Sequence, residues 1–465
     1  MFSQTPTGSA APSTFTNTPP PLHKHTALKR TAVAIGAILV AGVLVLITLN
    51  ILGSTVASDS AQRAHPELSL PTVHIADSDN AYFAMQQAAA QIKILSSTTI
   101  SAAEKSTASS ALYSALLIAG SKKYFQDPAA TNPNLITIAT HLPPLYDYRA
   151  SFSANNIYAE QLAHSDKGAS ALQQAVRGVL IGNKMTTSYA DIIEYLFGLD
   201  AQQKGLATIM NIATSTPISS HNLLIAASTL NNAYISLVAS GTPATALKLE
   251  WYSSRNTLSS LTARGVNYLM SAGMFNSLLG NSSLFWLHTA LRIAPSFYWH
   301  PNDTVENSAR ITNAELATVH TSCATLGSSP TTPLVFTPKN HFLWVFTPNL
   351  VGKLMSNIVS STPIQPKITF DWCTVKMNYS AARLTLALRA YQQDHKSFPN
   401  SLSELIPNYL HAIPNGPYSG KPFGYINQQD GGASIYSVGR THGTAGRTYF
   451  SLGTETSSSS PSNAI

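Results

Sequence analysis

The sequence predicts a mainly α-helical protein with one N-terminal transmembrane helix, a helical body and a small α+β domain at the C-terminal end. Three observations predict this. Residues 31–58 contain no Asp, Glu, Lys, Arg or His; residues 79–300 contain a series of segments with apolar side chains at helical spacing; and an amphipathic segment near 378–396 precedes two short β-branched, aromatic runs. The order of use is one anchor, one large helical body, then a mixed end.

The anchor comes first. Thr31–Leu52 is long enough to cross a bilayer, which takes about 20 apolar residues as helix. A buried soluble helix would show a polar face, and this run shows none. A cleaved signal peptide is the rival, with Thr55-Val56-Ala57 suiting a small-residue cleavage site. The run exceeds the roughly 7–15 residues of a signal core, so it reads as an uncleaved single-pass anchor over 31–57. His23, Lys24, His25, Lys29 and Arg30 crowd its N-terminal side, whereas Asp59, Arg63 and Glu67 follow it. Positive charge stays in the cytoplasm, which places residues 1–30, a Thr/Pro/Ser-rich disordered tail, inside and the body outside. Ala32 and Gly36, and Ala37 and Ala41, have the small-xxx-small spacing that lets two membrane helices pack closely.

Composition narrows the function classes. Charged residues make up 11% of the chain and apolar residues 44%, so most of the body has the means to fold rather than stay disordered. The net charge of +7 comes from scattered residues, with no basic stripe interleaved with aromatics, and nucleic acid is not an expected partner. The two cysteines, Cys323 and Cys373, are not a Cys-x-x-Cys pair and are too few for a four-cysteine zinc site. In an exported, oxidising compartment one disulfide is the natural pairing, and two separate buried thiols are the alternative.

Along the body, residues 58–78 read as a linker with Pro66 and Pro71. Asp79 caps a helix over Asn80–Leu95, with Tyr82, Met85, Ala89 and Ile92 on one face. Further helices are expected at Ser101–Phe125, His164–Lys184, Tyr189–Lys204, His221–Ala239, Pro243–Met270 and Asn281–Ile293, completing a helical domain over 79–300. Residues 301–367 carry repeated prolines and read as an irregular connection, with short strands at Leu334–Phe336 and Phe342–Phe346. Residues 368–453 form the α+β end: a helix over Asn378–Lys396 with Leu384, Leu388 and Tyr391 on one face, then a Ser401/Glu404 capping box. Phe423–Ile426 and Ala433–Val438 follow as strands joined by the glycine-bearing Gln428–Gly432 loop. Residues 454–465 read as a disordered Ser/Thr tail.

In that last region Tyr391, Phe398-Pro399, Leu402, Leu405, Pro407, Tyr409, Ile413-Pro414, Pro417, Pro422, Tyr425 and Ile435-Tyr-Ser-Val-Gly439 occur in order. This run resembles the C-terminal domain of type II secretion major pseudopilins, and even more the similar module at the end of bacterial envelope proteins. The resemblance covers residues 384–439 and implies the α+β fold, a bacterial inner-membrane setting with a periplasmic body, and proximity to a secretion or pilus-type system. Two departures matter. No Gly-before-Phe cleavage site precedes the anchor, where Leu28-Lys-Arg30-Thr-Ala stands instead, so assembly into a pseudopilus is not expected. The acidic residues that such pseudopilins use for calcium are replaced by Arg440-Thr-His-Gly-Thr-Ala-Gly-Arg447, and without carboxylates no calcium site is expected there.

Chemical motifs are scarce. The body contains no His-Glu-x-x-His, Gly-x-Ser-x-Gly, Ser-x-x-Lys, P-loop or Gly-x-Gly-x-x-Gly, and no cofactor or metal is expected. Two local pairs are the candidates for catalysis. Asp191 and Glu194 lie three apart on a helix, a spacing that could serve an envelope glycosidase or peptide hydrolase but more often forms a solvated helix face. His300 and Asp303 put an imidazole beside a carboxylate, in a context that a capped turn explains as well. Tyr146, Tyr148, Trp251, Tyr252, Phe285, Trp286, Tyr298 and Trp299 are candidates for a binding groove, against a plain core role. The expectation is therefore a non-enzymatic, membrane-anchored periplasmic scaffold with an envelope protein as partner. The alternative is a hydrolase or binding protein for cell-wall glycan or peptide.

Overall fold

Ten helices and a three-stranded antiparallel sheet make up the computed structural model, which describes residues 64–140, 143–262, 294–319, 347–361, 364–428, 432–439 and 447–452 and a few single positions. The first seven helices are α1 (Tyr82–Leu95), α2 (Ala102–Ser121), α3 (Leu145–His164), α4 (Gly168–Thr187), α5 (Ile192–Ser215), α6 (Ser220–Ser240) and α7 (Ala244–Ser260). After a helical turn at Pro295–Tyr298 come α8 (Pro301–Val319), α9 (Leu350–Ser361) and α10 (Ile364–His395). Strands β1 (Gly424–Asn427), β2 (Ala433–Val438) and β3 (Arg447–Leu452) close the described chain.

Local chemistry explains most boundaries. Ser101 and Glu104 form a reciprocal capping box that starts α2, and Ser219 caps α6. The cap expected from Asp79 is not made: Asp79 sits in a 3-10 turn, the N-cap of α1 is Ala81, and the Asn80 carboxamide oxygen accepts from Tyr82 N–H at 3.0 Å just ahead of the helix. Lys396 ends α10 in the left-handed region (φ 63).

The helices wrap α10. It packs on α5 and α6 and also meets the turn Leu402–Leu405 and β2. Val375, Tyr379, Ala382, Leu384, Leu386, Leu388 and Ala390 are fully buried, so α10 is covered nearly all round rather than on the single stripe expected. The sheet, in order β1-β2-β3, sets Tyr425 opposite Ile435 and Tyr436 opposite Tyr449. Tyr425 Oη and Asn427 Nδ2 donate to the Pro399 carbonyl at 2.8 and 3.1 Å, which ties the sheet to the loop leaving α10. One apolar core runs from Leu68 through α3–α6 and α10 to Leu452 in β3.

Several expectations change. Helix α3 was not foreseen, and the 301–367 stretch, expected to be irregular, contains α8 and α9. Pro301 stands at the first position of α8, where a missing N–H costs nothing, so it starts the helix instead of breaking it. Pro366 likewise lies in the first turn of α10, which begins well before the expected Asn378. Residues 64–78, expected as a linker, lie against the body: Leu68 is fully buried, and His65 Nε2 is 3.1 Å from Glu306 Oε1 in α8. Strand β3 adds a third member to the expected hairpin. The strands expected at Leu334–Phe336 and Phe342–Phe346 and the 440–446 segment lie outside the described residues.

So does the segment expected as an anchor, apart from Val40, Leu44 and Thr48, which are helical. Thr48 Oγ1 donates to the Leu44 carbonyl at 2.8 Å, and Val40 and Leu44 are exposed. Among the described residues one helix, α6, is long and apolar enough to cross a membrane. It buries Leu223, Ala226, Leu230, Ala233 and Leu237 against its neighbours and leaves Ile225, Ile235 and Val238 exposed.

Candidate functional site

The start of α5 carries the most unusual chemistry in the described structure. Asp191 is its N-cap, and Asp191 Oδ1 accepts from the N–H groups of Ile193 and Glu194, both at 2.8 Å. Glu194 reaches back, its Oε2 accepting from Asp191 N–H at 3.2 Å. The pair singled out by its spacing is thus a capping box, with acid at both positions.

Helix capping does not account for where the box sits. Asp191 and Glu194 line a pocket of about 270 Å³ together with Asp127 and Glu250. Asp127 opens the turn Pro128–Ala130, accepting from Ala129 N–H at 2.8 Å, and Glu250 comes from α7. Ile136, Ile138, Ile193 and Leu249 supply apolar wall. Glu194 is only 1% exposed, and its second oxygen, Oε1, is buried without a hydrogen-bond partner. Burial, then the neighbouring carboxylates of Asp191 and Asp127, push Glu194 well above the usual carboxylate range. Burial followed by Asp191 raises Glu250, and burial raises Asp191 against the opposing pull of its two backbone N–H donors. On the inner side Tyr82 is pushed up to about 12 by burial and then by Asp127, and burial raises Tyr148 as well.

Such a group holds its proton to higher pH than an ordinary carboxylate does. It also has a stability signature. Glu194 is less acidic in the folded chain than in the unfolded one, so the folded state binds the extra proton. Its contribution therefore falls as pH rises above the ordinary value of 4.5 toward the folded value. Glu194→Gln keeps the box, since Gln serves at this position, and removes the charge. We expect the variant to gain on the wild type as pH rises above the ordinary carboxylate value of 4.5, reaching on the order of 1 kcal/mol, in chemical unfolding followed across pH.

His300 and Asp303 are brought together, but in a closed arrangement. His300 is 2% exposed; its Nδ1 is 2.9 Å from Asp303 Oδ2 and its Nε2 is 2.8 Å from the Ser296 carbonyl. Both ring nitrogens are engaged, and His300 N–H donates to Asn349 Oδ1 at 2.9 Å, which pins the start of α8 to the segment before α9. The two candidate pairs do not share a pocket. The aromatic candidates do not form one groove either. Trp251 and Tyr252, Tyr298 and Trp299, and Tyr148 belong to three separate cores, Tyr146 is exposed, and Phe285 and Trp286 lie outside the described residues.

Asp127 and Glu250 were missed in the sequence. The only signal for Glu250 is its place as the one acidic residue of α7, next to the buried Leu249. Asp127 precedes Pro128 and reads as an ordinary turn residue. Cys323 and Cys373 are joined as a disulfide, with their Cα atoms 5.9 Å apart. Comparisons with family models, with curated proteins and with solved structures find no match.

Proposed function

We propose that the chain is a single-pass inner-membrane protein, N-terminus inside, whose periplasmic body holds an envelope protein partner rather than turning over a substrate. The observation that carries this reading is the engagement of the polar pairs open to a catalytic role. Asp191 and Glu194 cap each other, and His300 has both nitrogens bonded inside the fold. The Cys323–Cys373 disulfide supports an oxidising, exported setting. A long helix followed by an antiparallel sheet supports the pseudopilin-like reading of the C-terminal end, and with it a place near a secretion or pilus-type system. The partner surface we favour is the apolar groove of about 320 Å³ between α2, α4 and α6, where Leu117 and Ile225 are exposed.

Crosslinking of the full-length protein in its native cells, followed by capture and mass spectrometry, tests this. Secretion or pilus components should be recovered, and Ile225→Asp should lose them. Recovery of cell-wall material alone would overturn the scaffold reading in favour of the hydrolase or glycan- and peptide-binding alternative. One observation favours that alternative: Asp191 and Glu194 converge with Asp127 and Glu250 in one pocket.

A further inference from the structure

Four arginines are half-buried among the described residues, and the fold serves three of them. Arg177 donates to Gln174 Oε1, Arg255 to Asn134 Oδ1 at 2.8 Å, and Arg389 to the Ala213 carbonyl at 2.8 Å. Arg383 in α10 donates to no described residue and has no carboxylate in ion-pair reach. Its one charge contact is with Tyr234 of α6, whose ring centroid lies 5.7 Å from the guanidinium carbon. Burial holds Arg383 below its ordinary value, with Tyr234 opposing. A guanidinium stays charged even so, and N–H donors on a core helix are costly to leave unmet.

Those donors meet a recess built from three parts of the chain. Arg383 lines a pocket of about 170 Å³ between α6, α10 and the 407–411 segment. Its Nε is buried, whereas the two Nη groups keep accessible surface, so the forked end is what the pocket presents. Ser228 and Asn231 come to it from α6, and Asn408 and His411 from the segment after the Leu402–Leu405 turn. None of these four side chains is hydrogen-bonded to a described residue, although each has a donor to give. No Asp or Glu is among the lining residues, and Leu224 and Leu410 add apolar wall.

We propose that this pocket is a binding site for a carboxylate carried on a short apolar stem. A carboxylate is planar and accepts two parallel N–H bonds from one guanidinium, and its single charge matches the one Lys or Arg in the lining. Phosphate brings nearly twice that charge. The Asn231 and Asn408 amides can donate to the remaining lone pairs. The volume lies below the roughly 300–1,000 Å³ of pockets that take drug-sized ligands, which fits a small acid or the end of a longer chain. The site shares α6 with the groove favoured for the partner but none of its lining residues, so either can be lost without the other.

The test is saturation-transfer NMR on full-length protein in lipid nanodiscs, with empty nanodiscs as the blank. The probes are pentanoate, its uncharged analogue pentanamide, and inorganic phosphate as a competing anion. Pentanoate should bind saturably, and pentanamide at least roughly tenfold more weakly. Arg383→Gln should weaken pentanoate roughly tenfold or more. Asn408→Asp sets a like charge at an exposed position and should also weaken it roughly tenfold, with thermal unfolding unchanged. Ile225→Asp, which alters only the partner groove, should bind pentanoate as the wild type does. No saturable pentanoate signal beyond that of empty nanodiscs, equal binding of pentanamide, unaltered binding in Asn408→Asp, or displacement of pentanoate by phosphate at equal or lower concentration would overturn the proposal.

Discussion

Exchanging Cys373 for Ser should cost about 4 kcal/mol of folding free energy, the chain-entropy value for a closed loop of this size. The cross-link spans a sequence separation of 50 and fastens the segment after α8 to the buried face of α10, where Cys373 has no exposure. Native domains have only about 5–15 kcal/mol to lose, so the variant should sit near the limit of folding. Reduced wild type should behave as the variant does, and reductant should leave the variant unchanged. Urea unfolding of the solubilised protein with and without reductant reads both. Equal midpoints in all four conditions would contradict a stabilising role for the cross-link. The same argument predicts that chain made without export accumulates poorly, because a reducing cytoplasm withholds the bond.

The second large effect concerns the crossing of α4 and α5. Gly182 and Gly198 face each other there so closely that a Cβ on Gly198 would lie 2.9 Å from the Gly182 carbonyl oxygen, from Met185 Cβ and from Thr186 Cγ2. The reciprocal Cβ on Gly182 would lie 2.8 Å from the Gly198 carbonyl oxygen. Backbone cannot swing aside as a long side chain can, so the helices must separate. Next to the crossing the Gln202 carboxamide donates to the Gly182 carbonyl at 3.2 Å and to Thr186 Oγ1 at 3.1 Å, and Tyr379 Oη of α10 donates to Gln202 Oε1 at 3.0 Å. Separation therefore breaks a buried polar network as well as apolar contact. Gly198→Leu should cost about 3 kcal/mol, the upper end for overpacking, and Gly198→Ala about 1 kcal/mol. Thermal unfolding orders the three proteins. A Leu variant as stable as the wild type would show that the helices do not approach this closely.

Legibility followed the physics of each segment. Helix α6 could be read almost to the residue, because Leu223, Leu230 and Leu237 mark its buried face at helical spacing. Helix α3 could not, because its buried face is built from Ser151, Asn155, Ala159 and Ala163 beside Tyr148 and Phe152, which leaves a broken apolar stripe. The first half of α10 was hidden for another reason: Pro366, which lies in the first turn of the helix, looked like an interruption. The Ser401/Glu404 box was recognised, whereas the same spacing at Asp191 and Glu194 was read as a solvated helix face or, under the hydrolase alternative, a pair of catalytic acids, and not as a cap. Their pocket was out of reach of any local reading. Asp127 and Glu250 are distant in sequence, and only the packing of α7 beside the start of α5 brings them to Glu194.

Membrane topology is the central proposal, since the envelope partner and the exported setting follow from it. Protease added outside to spheroplasts, with epitopes followed in residues 1–30 and in the C-terminal region, tests it most directly. A single pass with the N-terminus inside predicts loss of the C-terminal epitope, survival of a membrane-bound fragment carrying the N-terminal one, and digestion of both only after lysis. Survival of the C-terminal epitope in intact spheroplasts, with digestion on lysis, would contradict an exported body.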